Sequence, residues 1–414
     1  MVWRSSFQEG AEQSSPPIPQ AEASRTSVLY SFPHPLGGPG INNTAWQQIN
    51  ALAACDVDLT VFCTSVRVPL HRRVRVVETM TLGPRRVPHR LFGTQRTYSY
   101  HDARVAFHLR HGASSYDVVH VWPRSCLRTA DQARRLGNLS FREAPNAHTA
   151  ETYRASEAAG EDIGISLPRG YSHRYNKLNL RREQTEFDLV DYILAPSEYV
   201  LQSFLDEGVA EHRLIRHQYG FDPEVFYAED SPNHHRFTAV FVGRGEPAKG
   251  LHLALQAWFE SGADQVGQFL IVGKMMPAYS DYLRHQFQHP SVQVIGFSDE
   301  VAALMRSADV LLFPTVTEGS ALVTYEAMAC GVVPLVSDAS GAPIEDGVSG
   351  FTHKVGDWEI LARQIRTLAQ NRPMLQDMRR AAIAQSLSLT WAASGQRLVD
   401  AYRTGIERGN IKST

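Results

Sequence analysis

The chain reads VLLFPTVTEGSALVTYEAMACG from residue 310 to residue 331. Its apolar start, Val310–Phe313, is followed by Pro314, which is typical of a buried strand and its end. The residues from Ser320 to Gly331 have the pattern of a helix that follows this strand. In open sheets built from such strand–helix units, ligands bind at the carboxyl ends of the strands. The stretch therefore predicts an α/β fold with a ligand site just after residue 314.

Two carboxylates, Glu318 and Glu326, flank the start of this predicted helix and are separated by seven residues. A helix that begins near Ser320 points unpaired backbone N–H groups and its positive dipole end at the loop, which favours a phosphate there. At a rise of roughly 1.5 Å per residue, the acids lie on the order of 10 Å apart, comparable with a sugar joined through diphosphate to ribose. Each carboxylate can accept hydrogen bonds from hydroxyls. Taken alone, the pair is explained equally well if Glu318 only caps the helix and Glu326 is a solvated helix residue.

A second segment, GRGEPAKGL from Gly243 to Leu251, follows the apolar run 238–242 and carries two cations, Arg244 and Lys249. It is not a Walker A loop, because Lys249 precedes the glycine and no Ser or Thr follows, and it lacks the third glycine of GxGxxG. A cationic pair here would neutralise a diphosphate leaving group without a metal ion. The alternative is a basic surface turn.

Together the two segments resemble the family 4 retaining glycosyltransferases of the GT-B fold. The acidic motif of that family is roughly Glu-Gly-Phe-Gly-Leu-Pro, then two residues, then Glu-Ala-Met-Ala-x-Gly. The matching positions are Glu318, Gly319, Leu322, Glu326, Ala327, Met328, Ala329 and Gly331, whereas Ser320, Ala321 and Val323 depart from the motif. The departures leave the fold assignment intact and bear on the shape of the sugar pocket. Weaker matches extend the likeness over most of the chain beyond residue 25.

The resemblance implies an α/β GT-B fold, in which two Rossmann-like doubly wound parallel-sheet domains face a deep interdomain cleft. It also implies that a glycosyl group passes from a nucleotide-diphosphate sugar to an acceptor hydroxyl with retained anomeric configuration. The implied catalytic residues are His148, Arg244, Lys249 and Glu318. The implied donor-binding residues are Gly37, Gly38, Gly243, Gly296, Phe297, Gly319, Ser320, Ala321, Leu322 and Glu326.

Each of these residues has an implied role. Arg244, Lys249 and the amides near Ser320 would stabilise the diphosphate, Glu318 would orient the sugar, and Glu326 the ribose. His148 follows the predicted strand 139–143, points toward the cleft and would form a hydrogen bond with the donor sugar. Taken without the family, it is a polar loop histidine, and Gly37 and Gly38 form a simple tight turn.

No metal ion and no cofactor are expected beside the UDP- or GDP-sugar donor. Asp56-Val57-Asp58 has the form of the metal-binding Asp-x-Asp of the other main glycosyltransferase fold. Here, however, it opens a predicted strand, and Arg244 and Lys249 supply the positive charge that the metal supplies in that fold. The four cysteines lack CxxC pairing and histidines at zinc spacing, which fits a reducing compartment.

The composition is that of a globular protein with two domains. The chain has 414 residues, of which 43% are hydrophobic and 20% charged, too long for one ordinary core. No apolar run approaches the roughly 20 residues of a membrane span, and a cytoplasmic location is expected. The net charge of −2 argues against nucleic acid as a partner. The acceptor and the oligomeric state are left open.

One segment, residues 67–111, is strongly basic, with ten arginines against Glu78 and Asp102, a net charge of +8 without the histidines. Such a patch could meet anionic lipid headgroups at the inner face of the membrane, or a phosphorylated acceptor. The adjoining Arg90-Leu91-Phe92 would suit a shallow membrane contact. The alternative is a solvated basic surface.

The order of predicted elements divides the chain into regions. We expect a disordered tail over residues 1–25 and an acceptor-side domain over 26–216. A linker would cover 217–236, and a nucleotide-sugar-binding domain 237–390. A last helix, 391–414, would pack back on the first domain.

Three other functions compete with glycosyl transfer. A sugar-nucleotide epimerase can share the fold, and a catalytically silent nucleotide-sugar-binding protein would keep the donor site alone. A glycogen-type phosphorylase would need a lysine that carries pyridoxal phosphate, and no such site stands out in the sequence.

Overall fold

The computed structural model describes residues 25–82, 85–86, 93–112, 115–229 and 236–413. Most of the predicted tail and Arg90-Leu91-Phe92 lie outside these residues. The described chain forms two parallel sheets and a small hairpin, with helices packed on both sheets. None of its helices combines the length and the apolar character that crossing a membrane requires.

The first sheet has seven parallel strands in the order β3-β2-β1-β6-β7-β8-β9. They are β1 (Thr26–Leu36), β2 (Val57–Val66), β3 (Arg75–Glu78), β6 (Val118–Val121), β7 (Leu139–Glu143), β8 (Tyr192–Ala195) and β9 (Leu214–Arg216). The hairpin consists of β4 (Thr81–Leu82) and β5 (Arg85–Arg86). The helices in this half of the chain are α1 (Ile41–Ala54), α2 (Thr94–His111), α3 (Leu127–Leu136), α4 (Thr149–Glu161), α5 (Lys177–Leu189) and α6 (Glu198–Asp206).

The second sheet has six parallel strands in the order β12-β11-β10-β13-β14-β15. They are β10 (Phe237–Val242), β11 (Gly267–Val272), β12 (Val292–Gly296), β13 (Val310–Phe313), β14 (Val333–Ser337) and β15 (Phe351–His353). The helices are α7 (Leu251–Glu260), α8 (Pro277–Tyr282), α9 (Arg284–Phe287), α10 (Val301–Arg306), α11 (Leu322–Ala329), α12 (Trp358–Gln370) and α13 (Arg372–Ser386).

Helices on both faces explain why the central strands are apolar without alternation. Strand β13 is buried at all four positions, and β10 at all but its last residue. A strand of a parallel sheet reads this way because both of its faces are covered. The strand order reverses between β1 and β6 in one sheet and between β10 and β13 in the other, and a ligand crevice opens where such a reversal occurs.

The two halves touch through more than the connecting chain. Helix α4 packs against the turn Pro247–Lys249, and Ile163 and Ile165, which follow α4, pack on the core of the second sheet. Ser197 donates a hydrogen bond from its hydroxyl to the carbonyl oxygen of Gly319. The carboxyl ends of both sheets therefore meet around a shared cavity.

The chain crosses between the sheets twice, at two adjacent points. Phe221 donates its N–H to Leu389 O at 3.1 Å, and Trp391 donates its N–H back to Phe221 O at 3.2 Å. A side chain at Gly220 would collide with the backbone of Thr390, so the two crossings lie in close contact. After the return crossing, helix α14 (Trp391–Ser413) buries Leu398 and Tyr402 in the core of the first sheet, against α1.

Candidate functional site

A cavity of about 830 Å³ lies between the two sheets. The first sheet contributes Arg124, Arg142 and Glu183 among its lining residues, and the loop after α4 contributes His173. From the second sheet, Arg244, Lys249 and Glu318 line it. Three of the residues singled out in the sequence thus meet at one cavity, although Glu318 lies 69 positions beyond Lys249.

Lys249 and Glu318 form a direct ion pair at this cavity. Their side chains are 16% and 14% exposed, so water screens the pair only partly. Lys249 also lies 5.9 Å from the centre of the Phe313 ring. Without a ligand, each charge is therefore neutralised by the other.

The Arg244 guanidinium is 59% exposed and binds Glu246 Oε1 at 3.0 Å. Glu246 itself is buried. The carboxylate thus fixes one end of the guanidinium, and the Arg244 side chain also lines the cavity.

Glycines shape the loop that carries these cations. Gly250 has a φ of 70°, and a side chain there would collide with the carbonyl oxygen of Pro314. This contact sets Lys249 beside the end of β13 and thereby beside Glu318. The carbonyl oxygen of Gly243 lies so close to Gly273 that a side chain at Gly273 would collide with it. The bare backbone of this loop is thus packed against the next strand–loop junction.

Helix α11 begins at Leu322, two residues later than predicted, because Ala321 is extended with φ −67° and ψ 99°. The Ser320 hydroxyl bonds Tyr325 Oη at 2.7 Å and Gly341 O at 3.2 Å, so it is engaged inside the protein. Ala321 donates its N–H to Ser340 O. The amides of Leu322 and Val323 have no hydrogen-bond partner among the described residues, as expected for the first turn of a helix. An anion at this helix start would be bound by those two amides.

Glu326 lies within α11 and is partly buried, and its carboxylate makes no ion pair with the described residues. Burial raises its pKa from 4.5 to about 7. A partly buried carboxylate that makes no ion pair can accept hydrogen bonds from a ligand.

Gly296 and Phe297 form the turn after β12. Gly296 has a φ of 78°, and the Phe297 ring is 65% exposed, with Lys274 Nζ 5.1 Å from its centre. An exposed ring of this kind can stack on a flat group such as a base. Neither residue lines the cavity that holds Lys249 and Glu318.

In the first glycine-rich loop, the residues that line the cavity differ from the predicted ones. Gly37 and Gly38 have φ values of 81° and 117°, and a side chain at Gly37 would collide with Val68. Pro39 and Gly40 line the cavity instead. The positive φ values at positions 37 and 38 turn the chain so that the next two residues reach the cavity.

His148 lies beside the cavity, behind Phe187 and Phe204, and is not among the residues that line it. Its ring is buried between Phe187 and Phe204, with both ring centres 5.1 Å away. Its Nδ1 accepts the N–H of Ala150 at 3.3 Å and so caps helix α4. Because capping and aromatic packing engage the ring, its neighbours Ala147 and Thr149 line the cavity in its place.

Several cavity residues carried no motif in the sequence. Arg142 is only 1% exposed and binds Glu183 at 3.0 Å and Glu186 at 3.1 Å. Thr149 donates its hydroxyl to Glu183 Oε2 at 2.8 Å. A buried arginine in the middle of a strand would have been the one available signal, because a charge is kept in a core only when it is paired.

The described residues contain no group of three histidine, cysteine or acidic side chains arranged to hold a metal ion. The site residues on the second sheet are a lysine, an arginine, carboxylates and helix amides, which suit hydroxyls and phosphate oxygens.

Comparison with known proteins finds a family match for the second sheet. Residues 226–385 match the model for "Glycosyl transferases group 1". The D-inositol 3-phosphate glycosyltransferase of Segniliparus rotundus is 29% identical over 188 residues, which is 42% of this chain and 41% of that protein. The same enzyme from Streptosporangium roseum is 27% identical over 250 residues, 53% of this chain and 56% of that protein. The chain thus spans about half the length of these curated relatives.

Solved structures share the whole architecture. Sucrose-phosphate synthase from Thermosynechococcus elongatus superposes with a TM-score of 0.67 at 17% identity, over 93% of this chain and all of that one. Anabaena HepE in complex with UDP and glucose gives a TM-score of 0.63 at 16% identity, over 92% of this chain and all of that one. The predicted GT-B fold is thereby confirmed. The match of residues 226–385 to the group 1 glycosyl transferases, together with these relatives and structures, confirms the predicted resemblance to family 4.

Proposed function

We propose that this protein transfers a glycosyl group from a nucleotide-diphosphate sugar to an acceptor hydroxyl, with retention of the anomeric configuration. The observation that carries the proposal is the convergence of Arg244, Lys249 and Glu318 on one cavity between two sheets. The family match over residues 226–385 covers the domain that supplies these three side chains.

Donor binding separates the ion pair of Lys249 with Glu318. When the diphosphate enters, Lys249 turns to its oxygens, and the Glu318 carboxylate is released to accept hydrogen bonds from the sugar hydroxyls. Negative charge grows on the departing diphosphate in the transition state, where Lys249, Arg244 and the amides of Leu322 and Val323 stabilise it. Because these donors are positioned before the reaction, little reorganisation opposes the step.

The nucleoside end of the donor lies along α11 toward the turn at Gly296. Glu326 accepts hydrogen bonds from the ribose hydroxyls, and the base stacks near Phe297. The charge balance requires no divalent cation, since two cationic side chains oppose a diphosphate. A UDP-hexose is the first donor to test, because the similar HepE structure contains UDP and glucose. GDP-sugars are the second class.

We assign no enzymic nucleophile. The acceptor hydroxyl attacks from the face that the diphosphate leaves, and its proton passes to the leaving oxygen. This route retains the anomeric configuration in one displacement.

The basic segment is the candidate contact with an anionic membrane surface. Arg67, Arg72, Arg73 and Arg75 are exposed in it, as are Arg96, Arg104 and Arg110 in and around α2. Phe107 on α2 is 64% exposed beside these cations. The proposed contact is peripheral, at the inner face of the membrane.

A donor screen tests the function. The protein is incubated with UDP- and GDP-hexoses, with and without EDTA, and nucleotide release is followed by chromatography. We expect slow hydrolysis of one donor class without acceptor, unchanged by EDTA, and faster release with a mixture of acceptors. NMR of the transferred sugar then reports retention.

The competing functions give other results in the same screen. Formation of a new epimer of the nucleotide sugar would indicate an epimerase. Binding of a donor without hydrolysis or transfer would indicate a silent binding protein. Either result contradicts the proposal, as does an inverted product.

A further inference from the structure

The backbone of Arg124 is exceptional in this fold. Arg124 follows strand β6 at its carboxyl end and has a φ of 70°, the only positive φ of a non-glycine residue in the described part of the chain. Residues other than glycine rarely adopt this backbone conformation. Where one does, surrounding contacts enforce the conformation, and such positions are often found at functional sites.

Two carboxylates from helix α5 enforce it. The backbone N–H of Arg124 is donated to Glu186 Oε2 at 2.9 Å, and its Nε to Glu183 Oε1 at 3.2 Å. Both carboxylates are anchored in turn by the buried Arg142. The start of the Arg124 side chain is thus held by two carboxylates that are themselves paired with a buried arginine.

The end of the side chain is free. Only Nε is engaged, and the two terminal nitrogens make no hydrogen bond with the described residues. The side chain is 35% exposed and lines the cavity. A guanidinium held at Nε presents its two terminal nitrogens as a planar pair of donors, which matches two oxygens of one anionic group.

Two more polar side chains lie near the guanidinium of Arg124. Tyr153 is 3% exposed, and its hydroxyl makes no well-aligned hydrogen bond with the described residues, although the Asn179 side chain lies near it. His173 also lines the cavity, and no hydrogen bond from its ring to the described residues is present. Both lie close enough to Arg124 to sense its charge.

Cations act on His173 from both halves of the protein. Burial first, and then Lys249, Arg244 and Arg124, lower the pKa of His173 to about 4, while Glu183 opposes them. The imidazole is therefore neutral at pH 7. The three cations that add to the effect of burial on His173 would also attract a negatively charged ligand to this part of the cavity.

We propose that Arg124, with Tyr153 and His173, binds an anionic group, a phosphate or a carboxylate, on the acceptor substrate. Arg124 belongs to the first sheet, across the cavity from Lys249 and Arg244, which hold the diphosphate of the donor. The assignment to the acceptor rests on the proposed transferase function, whereas the anion site itself does not depend on it.

Anion titrations test the site. The wild type is saturated with UDP, which fills the diphosphate seat, and is titrated with inorganic phosphate and separately with acetate by calorimetry. Arg124→Asn removes the cation and keeps a residue that tolerates positive φ. Arg135→Asn, an exposed arginine on α3 outside the cavity, is the matched control.

We expect the wild type and Arg135→Asn to bind alike, and Arg124→Asn to bind about 10-fold more weakly or worse, the loss of a charge-assisted contact. If phosphate binds and acetate does not, the acceptor group is assigned as a phosphate. If acetate binds too, the acceptor group is assigned as a carboxylate. No anion binding by the wild type, or equal binding by Arg124→Asn, overturns the proposal. UDP affinity and the melting temperature of Arg124→Asn show whether the variant is folded.

A second arm separates this proposal from the transferase function. Phosphate is titrated into Lys249→Ala without UDP, and into the double variant with Arg124→Asn. Binding that persists in the single variant and is lost in the double variant supports the anion site even if no donor is ever hydrolysed. Absence of donor hydrolysis and transfer would contradict the transferase function alone.

Discussion

At the scale of single residues, Lys249 and Glu318 neutralise each other in the empty site. In the proposed donor complex, each of them exchanges its partner for a group of the donor. The pair therefore contributes to recognition, because a ligand that lacks either the diphosphate or the sugar hydroxyls leaves one buried charge without compensation.

Lys249→Ala and Arg244→Ala should each lower turnover about 100-fold, the loss expected when one donor to a developing charge is removed. Lys354→Ala is the control, because Lys354 is 84% exposed and pairs with Asp338 away from the cavity. Initial rates with the hydrolysed donor measure the effect. Near-normal turnover in both site variants would refute the assigned roles.

Glu326→Gln should stabilise the empty protein and weaken nucleotide binding. The carboxyl titrates near 7 in the folded state and at 4.5 in the unfolded state, so the folded state binds more protons between these values. The free energy of unfolding therefore falls as pH rises through this window. The gain in melting temperature of Glu326→Gln over the wild type should thus grow from pH 5 to pH 8.

Calorimetric scans over this pH range check the stability effect, and UDP titrations check the binding effect. Glu224→Gln, at an exposed position of the linker, is the matched control and should change neither. A constant difference in melting temperature across the range would show that Glu326 does not titrate there.

At the scale of elements, the turn that carries Lys249 depends on Gly250. Gly250→Ala should place a methyl group against the carbonyl oxygen of Pro314 and displace the turn. Gly262→Ala offers a matched control, since Gly262 has a φ of 77° and open space around it. The control should lose about 1–2 kcal/mol, the cost of a left-handed alanine. Gly250→Ala should lose more, together with UDP affinity.

Denaturant unfolding and UDP titration of the two variants measure both quantities. Equal losses of stability in the two variants, with UDP affinity retained, would contradict the role given to the close approach at Gly250.

Strands were readily predicted from the sequence, and helix starts were not. The strand 139–143 was placed at its observed bounds, because five residues between turn signals leave little freedom. Helix α11 begins at Leu322 and not at Ser320, because the Ser320 hydroxyl is drawn to Tyr325 and Gly341. The burial of His148 could not be predicted for a related reason, since its packing against Phe187 and Phe204 depends on elements distant in sequence.

At the scale of the whole molecule, Gly319 is a point at which the two halves approach closely. A side chain at this position would collide with the carbonyl oxygen of Pro145, in the first domain. Gly319→Ala should therefore hold the halves apart and lower turnover about 100-fold, the scale of a misplacement of roughly 1 Å between reacting groups. Small-angle scattering should show a larger radius of gyration than for the wild type.

Gly170→Ala is the control for this variant, because nothing lies within 4 Å of the methyl group that it adds. An unchanged radius of gyration together with normal turnover in Gly319→Ala would show that the observed approach of the halves is not needed for the reaction.

The second half of the site could be predicted because its residues lie in two short motifs. The first half could not, because Arg124, Arg142 and Glu183 come together from a strand end, a strand and a helix that no local pattern connects. The signals there are burial and an unusual φ, which exist only in the folded chain. The overall architecture was predictable since it needs only the order of strands and helices.

Helix α14 has a consequence for the order in which the protein is made. Leu398 and Tyr402 fill the interior that Val28 and Tyr30 begin. During synthesis the amino-terminal residues leave the ribosome first, and domains ordinarily fold in that sequence. Here the first sheet completes its interior only after α14 has emerged, whereas the second sheet has its own interior. The nascent first sheet thus stays open to chaperones until α14 has been translated.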